Sequence, residues 1–94
     1  MHWYDNSIMY HIYPLGFCGA PKFNEGGDTV NRLDKIREWI PHLKEMQVDA
    51  IYFGPVFESA EHGYDTTDYM QIDRRLGTNQ NFKELCDELH ANGI

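Results

Sequence analysis

The chain has 94 residues, 41% of them hydrophobic, enough to fill one small domain and too few for several. Eight basic residues stand against fifteen acidic ones, and the resulting net charge of −7 repels phosphate backbones and anionic lipid, which excludes nucleic acid and membrane surfaces as partners. The opening Met1-His2-Trp3-Tyr4-Asp5-Asn6 carries no basic leader region and no apolar run approaches a membrane span, so a cytoplasmic location is the default expectation.

In chain order, Ile8-Met9-Tyr10-His11-Ile12-Tyr13-Pro14 is rich in aromatic and β-branched residues and stops at a proline, which predicts a first strand over residues 8 to 14. Glycines 16, 19, 26 and 27 together with Pro21 make the segment from Gly16 to Asp28 a loop. Leu33, Ile36, Ile40 and Leu43 recur at helical spacing between charged residues, predicting an amphipathic helix from about 30 to 46. Pro41 conflicts with it, since proline lacks the helical N–H, and predicts a kink or restart after Ile40. Val48 to Phe53 reads as a second strand, buried on both faces and closed by Gly54-Pro55.

The segment from Gly54 to Gly77, about 24 residues, is too long for an ordinary connection and predicts a functional loop. A second helix follows Thr78 as N-cap, with Phe82, Leu85, Cys86 and Leu89 on one face and Asn92-Gly93 as its stop, and Ile94 is expected to open a third strand. Strand and helix thus alternate, the pattern of a parallel sheet built from βα units. Two such units leave a sheet face and two edges uncovered, so self-association is expected of the chain by itself.

Chemistry-bearing residues concentrate in the long loop, which holds Phe57-Glu58-Ser59, His62-Gly63-Tyr64-Asp65-Thr66-Thr67-Asp68-Tyr69 and Ile72-Asp73. Tyr64 beside Asp65 offers a ring face for stacking and a carboxylate for accepting hydroxyl hydrogen bonds, which a neutral polyol requires; an ordinary polar loop has the same composition. Nothing in the spacing sets two of Glu58, Glu61, Asp65 and Asp68 across a common bond, and they read as solvated acids. Gly26-Gly27 lacks the lysine of a phosphate loop, and Gly16-x-x-Gly19 lacks the rest of a dinucleotide fingerprint, so no cofactor is expected. His2, His11, His42, His62 and His90 show no metal spacing; His42 and His90 read as helix-surface residues, and no metal is expected. Cys18 and Cys86 read as reduced, packed thiols.

Three runs, Tyr10-His11-Ile12-Tyr13-Pro14, Ala50 to Ser59 and His62 to Tyr69, followed by Ile72-Asp73 and Gly77-Thr78, resemble in order and spacing the N-terminal barrel segment of the alpha-amylase family, glycoside hydrolase family 13. The resemblance covers nearly the whole chain. It implies an α/β fold made of the first two βα units of a (β/α)8 TIM barrel, with residues 1–94 the N-terminal part of a catalytic barrel domain. It implies that Tyr64 stacks on the sugar at the cleaved end of the site and that Asp65 binds hydroxyls of that sugar, with His62 and Tyr13 nearby.

The family's nucleophilic Asp, general acid Glu and third Asp belong to later strands, so no catalytic residue is assigned here and the 94-residue chain is expected to be inactive. The implied whole enzyme cleaves α-glucosidic bonds of malto-oligosaccharides or related glucans by retaining double displacement. The alternative is a non-catalytic, self-associating βα folding module. Three positions depart from the family's pattern: Gln47 stands where a helix-ending glycine is usual, Met70 replaces an aromatic, and Asn81 replaces an Asp.

Overall fold

The structure is a computed structural model that describes residues 3–94, with side chains described from residue 5 onward. The readings that fall on Met1 and His2 lie outside the described residues. A short 3-10 helix, Trp3–Asn6, leads into β1, Met9–Ile12. The first strand is shorter than predicted because Pro14, instead of ending in open loop, starts a one-turn helix, α1, Pro14–Phe17. Proline fits there, since the first helical N–H has no intrahelical partner anyway.

After a long loop comes α2, Asp34–Glu45, whose Ile36, Ile40 and Leu43 point into the core. No restart occurs after Ile40, and one helix runs through Pro41. Pro41 and Arg37, whose carbonyl loses its partner there, both lie on the exposed face, where water can replace the missing bond.

Strand β2, Ala50–Phe53, pairs in parallel with β1, Met9 opposite Ala50 through Ile12 opposite Phe53. Between them sits α2, which makes the first βαβ crossover. The expectation that β2 is buried on both faces fails: Tyr52 is 65% exposed and its neighbours are only half-buried. Among the described residues, β1 and β2 pair only with each other, so no second neighbour covers that side.

The segment from Gly54 to Gly77 is not a structureless loop. It contains β3, Phe57–Ser59, and β4, Thr66–Ile72, an antiparallel pair with irregular register. The β-branched and aromatic content of Thr66-Thr67-Asp68-Tyr69-Met70-Gln71-Ile72 fits a strand, but its outward residues leave no clean alternation to read.

Helix α3, Asn79–Ala91, follows as predicted. Its start is a reciprocal capping box: the Asn81 amide donates to Thr78 Oγ1 at 3.0 Å, and the Thr78 amide donates to Asn81 Oδ1 at 2.8 Å. Asn81 therefore performs the capping that an Asp would perform at that position. Helices α2 and α3 pack together, bridged by the ion pair of Arg37 with Glu88. Ile12, Leu33, Ile36, Leu43, Leu76 and Leu85, all at most 2% exposed, form the centre of a single core cluster. Each contributes about 1.5–3 kcal/mol through burial.

The two long helices end alike. After α2, the Val48 amide reaches back to the Leu43 carbonyl and the Gln47 amide to that of Lys44; after α3, Ile94 reaches Leu89 and Gly93 reaches His90. Both are Schellman turns, which need a left-handed residue at the corner. Gly93 supplies it with φ of 80°, and Gln47 is forced to φ of 58°, the one non-glycine positive φ among the described residues. Ile94 is the last of the 94 residues, and no strand is assigned to it. It holds the same place after α3 that Val48 holds after α2, two residues ahead of Ala50 where β2 begins.

Candidate functional site

The site forms where β1 and β2 end. Tyr13 directly follows Ile12, and Gly54 directly follows Phe53, so both lie at the C-terminal edge of the parallel pair. The Tyr13 ring passes between Gly16 and Gly54: a Cβ on Gly16 would approach it to 2.9 Å and one on Gly54 to 3.3 Å. Its hydroxyl donates to the His62 carbonyl oxygen in the β3–β4 connection.

That connection is a compact turn. Gly63 has φ of 103°, and a Cβ there would come within 2.8 Å of Pro55 Cβ, so only glycine meets both the backbone and the packing requirement. The Gly63 amide donates to Asp65 Oδ1 at 3.1 Å, the Tyr64 amide to His62 Nδ1 at 3.1 Å, and Thr66 Oγ1 to the Gly63 carbonyl at 3.3 Å. His62 Nδ1 lies 3.6 Å from Asp65 Oδ1, and the His62 and Tyr64 rings sit 6.0 Å apart between centroids. Desolvation pushes the Asp65 carboxyl up, but backbone hydrogen bonds at Asp65, Glu61 and Gly63 outweigh it and hold it below the usual range. Asp65 is thus ionised at neutral pH and acceptor-only. Tyr64 is 75% exposed, its ring free to stack.

The four predicted site residues, Tyr13, His62, Tyr64 and Asp65, are therefore brought together. Glu58 departs from its prediction as a solvated acid. It is buried, accepting from Asn24 Nδ2 at 2.7 Å, from Gln71 Nε2 at 3.4 Å, and from the Arg74 amide and Nε at 3.1 and 2.8 Å. Its carboxylate holds the loop around Asn24 against the β3–β4 pair. His42 and His90 are exposed on their helices, as predicted.

Sequence reasoning missed a second cluster beneath the turn. Asp73 and Arg75 are buried with Ser59, and Asp73 forms a two-pronged pair with the guanidinium, Arg75 Nε to Oδ1 and Nη2 to Oδ2, both at 2.9 Å. Burial pushes the Asp73 carboxyl up, but Arg75 and the amides of Arg75 and Ser59 bring it below its ordinary value. The only linear trace of this cluster is the Asp-x-Arg spacing, which is too common to be informative.

Among the described residues, no group of three or more His, Cys, Asp or Glu gathers to hold a metal ion, and no helix is long and apolar enough to cross a membrane. Residues 11–94 match the alpha-amylase catalytic domain. The chain belongs to the alpha-amylase family. It is 36% identical to the oligo-1,6-glucosidase of Heyndrickxia coagulans, covering 98% of this chain and 16% of that protein. It is 35% identical to the maltogenic alpha-amylase of Bacillus acidopullulyticus, covering 98% of this chain and 18% of that one. The whole chain also superposes on the trehalose-6-phosphate hydrolase of Bacillus licheniformis with a TM-score of 0.77 and 31% identity, covering 16% of that structure.

The chain thus spans about a sixth of the length of the relatives it matches. Its architecture is that of the first two βα units of a (β/α)8 barrel, and in such barrels the loops after the strands form the active-site face. Tyr13 and the turn from His62 to Asp65 stand at that end of this alpha-amylase segment.

Proposed function

We propose that the chain is the N-terminal part of a glycoside hydrolase acting on α-glucosidic bonds of malto-oligosaccharides or related glucans, to which it contributes sugar binding. Tyr64 stacks on the face of a glucosyl ring, Asp65 accepts from its hydroxyls, and His62 and Tyr13 hold the turn that presents them. The observation that carries the reading is the pairing of an exposed ring, 75% accessible, with an adjacent ionised carboxylate steered by the Gly63 amide. A neutral sugar offers apolar C–H faces and hydroxyl donors, and these two groups match both. The names of the relatives, a glucosidase and an amylase, support the substrate class.

The whole enzyme would work by retaining double displacement, in which one carboxylate attacks the anomeric carbon and a carboxylic acid protonates the leaving oxygen. Two carboxyl groups must then face each other across one bond. Glu58 and Asp73 are taken up by Arg74 and Arg75, Asp65 serves sugar binding, and on this reading the catalytic pair comes from outside these 94 residues, which by themselves are catalytically incompetent.

The test is titration of the chain with maltose and isomaltose, followed by NMR at the Tyr64 and Asp65 amides, beside a chromogenic maltoside assay. Saturable shifts, lost in Tyr64→Ala and Asp65→Asn, with no turnover, are expected. Turnover by the 94 residues, or shifts unaffected by both substitutions, would refute the assignment.

A second reading, a self-associating βα module, is favoured by exposed Tyr52, Tyr69 and Met70, the last 85% accessible. Light scattering at micromolar concentration separates the two states: a defined oligomer supports self-association and a monomer removes it.

A further inference from the structure

We propose that Arg75 is the positioning residue of the sugar-binding turn, a latch that fixes the Tyr64-Asp65 pair by tying the β3–β4 connection to the loop after α1. The inference rests on the functional reading above for what the turn binds, and on the geometry of Arg75 for how the turn is held.

Arg75 is 5% exposed and spends every donor it has. Nε donates to Asp73 Oδ1 at 2.9 Å, and Nη2 donates to Asp73 Oδ2 at 2.9 Å and to Ser59 Oγ at 3.0 Å. Those bonds fix the plane of the guanidinium. The remaining nitrogen, Nη1, then faces the backbone of two separate loops, donating to the Glu61 carbonyl at 2.8 Å and to the carbonyls of Pro21 at 2.9 Å and Lys22 at 3.2 Å. Glu61 immediately precedes His62, where the turn begins. The latch therefore acts one residue upstream of the turn and three upstream of Tyr64.

The same two loops are joined a second time by the Asn24 amide, which donates to the Ala60 carbonyl at 2.9 Å. Between them lies a cavity of about 210 Å³ lined in part by Tyr13, Lys22, Glu61, His62 and Arg75. Displacing either loop reshapes this cavity and moves the carbonyl of His62 away from the Tyr13 hydroxyl. Neutral carbonyls do not need a positive charge; they need donors at fixed directions. A lysine keeps the charge opposite Asp73 but has three donors on one nitrogen, too few and too close together to serve a carboxylate, a hydroxyl and two loops.

The experiment is native-state amide hydrogen exchange on the 94-residue chain and on Arg75→Lys, with maltose titration of both. The buried Gly63 amide and the Asn24 amide are expected to exchange at least about 10-fold faster in Arg75→Lys, with the helix amides of Leu43 and Leu85 unchanged. Equal acceleration at all four positions would reduce Arg75 to a general stabiliser, and no acceleration at Gly63 would remove the latch.

If Arg75→Lys does not fold, the wild-type chain decides. Gly63 and Asn24 should open as one unit, their protection falling together in mild urea, whereas independent opening overturns the proposal. In the sugar arm, a several-fold weaker maltose affinity in Arg75→Lys supports positioning, and unchanged affinity alongside faster exchange refutes it. A wild-type chain that binds no maltose sinks the functional reading instead, and leaves the exchange data to judge the latch.

Discussion

The Tyr13 hydroxyl, on the residue that directly follows β1, donates to the carbonyl oxygen of His62, forty-nine positions further on. One hydrogen bond thus ties the strand end to the turn that bears Tyr64 and Asp65. Tyr13→Phe keeps the ring between Gly16 and Gly54 and removes only the donor. It is expected to cost about 1 kcal/mol of stability, seen as a lower urea midpoint at unchanged slope, and to weaken maltose binding. An unchanged midpoint would mean that the bond contributes nothing net.

Gln47 occupies the left-handed corner after α2 that Gly93 occupies after α3. A side chain at such a position costs about 1–2 kcal/mol, partly offset by the greater freedom of glycine in the unfolded chain. Gln47→Gly is expected to stabilise the protein by about 0.5–1 kcal/mol, or roughly 3–6 °C in Tm, while Gln47→Ala brings no gain. Calorimetry of the two variants side by side checks it.

Asp73 links folding to acid. Its carboxyl is below the ordinary value in the folded state, because Arg75 and two amides outweigh the desolvation that raises it, so the folded state binds fewer protons than the unfolded one over that interval. The stabilisation is fully present above the unfolded value of about 3.9 and is lost as pH falls through the folded value, at up to about 1.4 kcal/mol per pH unit. Asp73→Asn should therefore be much less stable than wild type at pH 6, with the gap narrowing as the pH drops from about 4 toward 2. Denaturant titrations at several pH values measure that gap, and a constant gap would contradict the linkage.

Cys18 is buried, and that burial raises its thiol to about 11 despite the opposing pull of Lys35 and Arg32. At pH 8 about one molecule in a thousand carries the thiolate, so Cys18 should resist iodoacetamide until the protein is unfolded. Burial and the neighbouring Asp87 raise the Cys86 thiol as well, and it should react more slowly than free cysteine. Mass spectrometry of native and urea-treated samples distinguishes these rates from simple exposure.

Local chemistry made much of the protein legible in one dimension. The spacing of Ile36, Ile40 and Leu43, the Thr78 cap and the glycine at 93 are signals between near neighbours, and α2 and α3 follow from them. The residues around Tyr64-Asp65 were singled out by the family resemblance and not by their pattern, and the structure shows that Gly63 and the Asp65 carboxylate bond within the turn itself. Some readings failed on local chemistry that allowed more than one outcome. Pro14 opened a one-turn helix closed by bonds to the carbonyls of Tyr13 and Pro14 itself, and residues 57–59 and 66–72 paired as strands across the short turn between them.

Glu58 illustrates the division most directly. Its carboxylate looks like any acidic loop residue until Asn24 and Arg74 are folded against it, and nothing near it in sequence announces either partner. Likewise Arg75 becomes a latch only when the tertiary structure delivers the carbonyls of Pro21, Lys22 and Glu61 to one nitrogen. Sequence alone determined the periodicities and caps, because those bonds close over a few residues; only the tertiary structure decided which charges are buried and what they hold, because a buried charge is stable solely with partners that the fold brings from elsewhere.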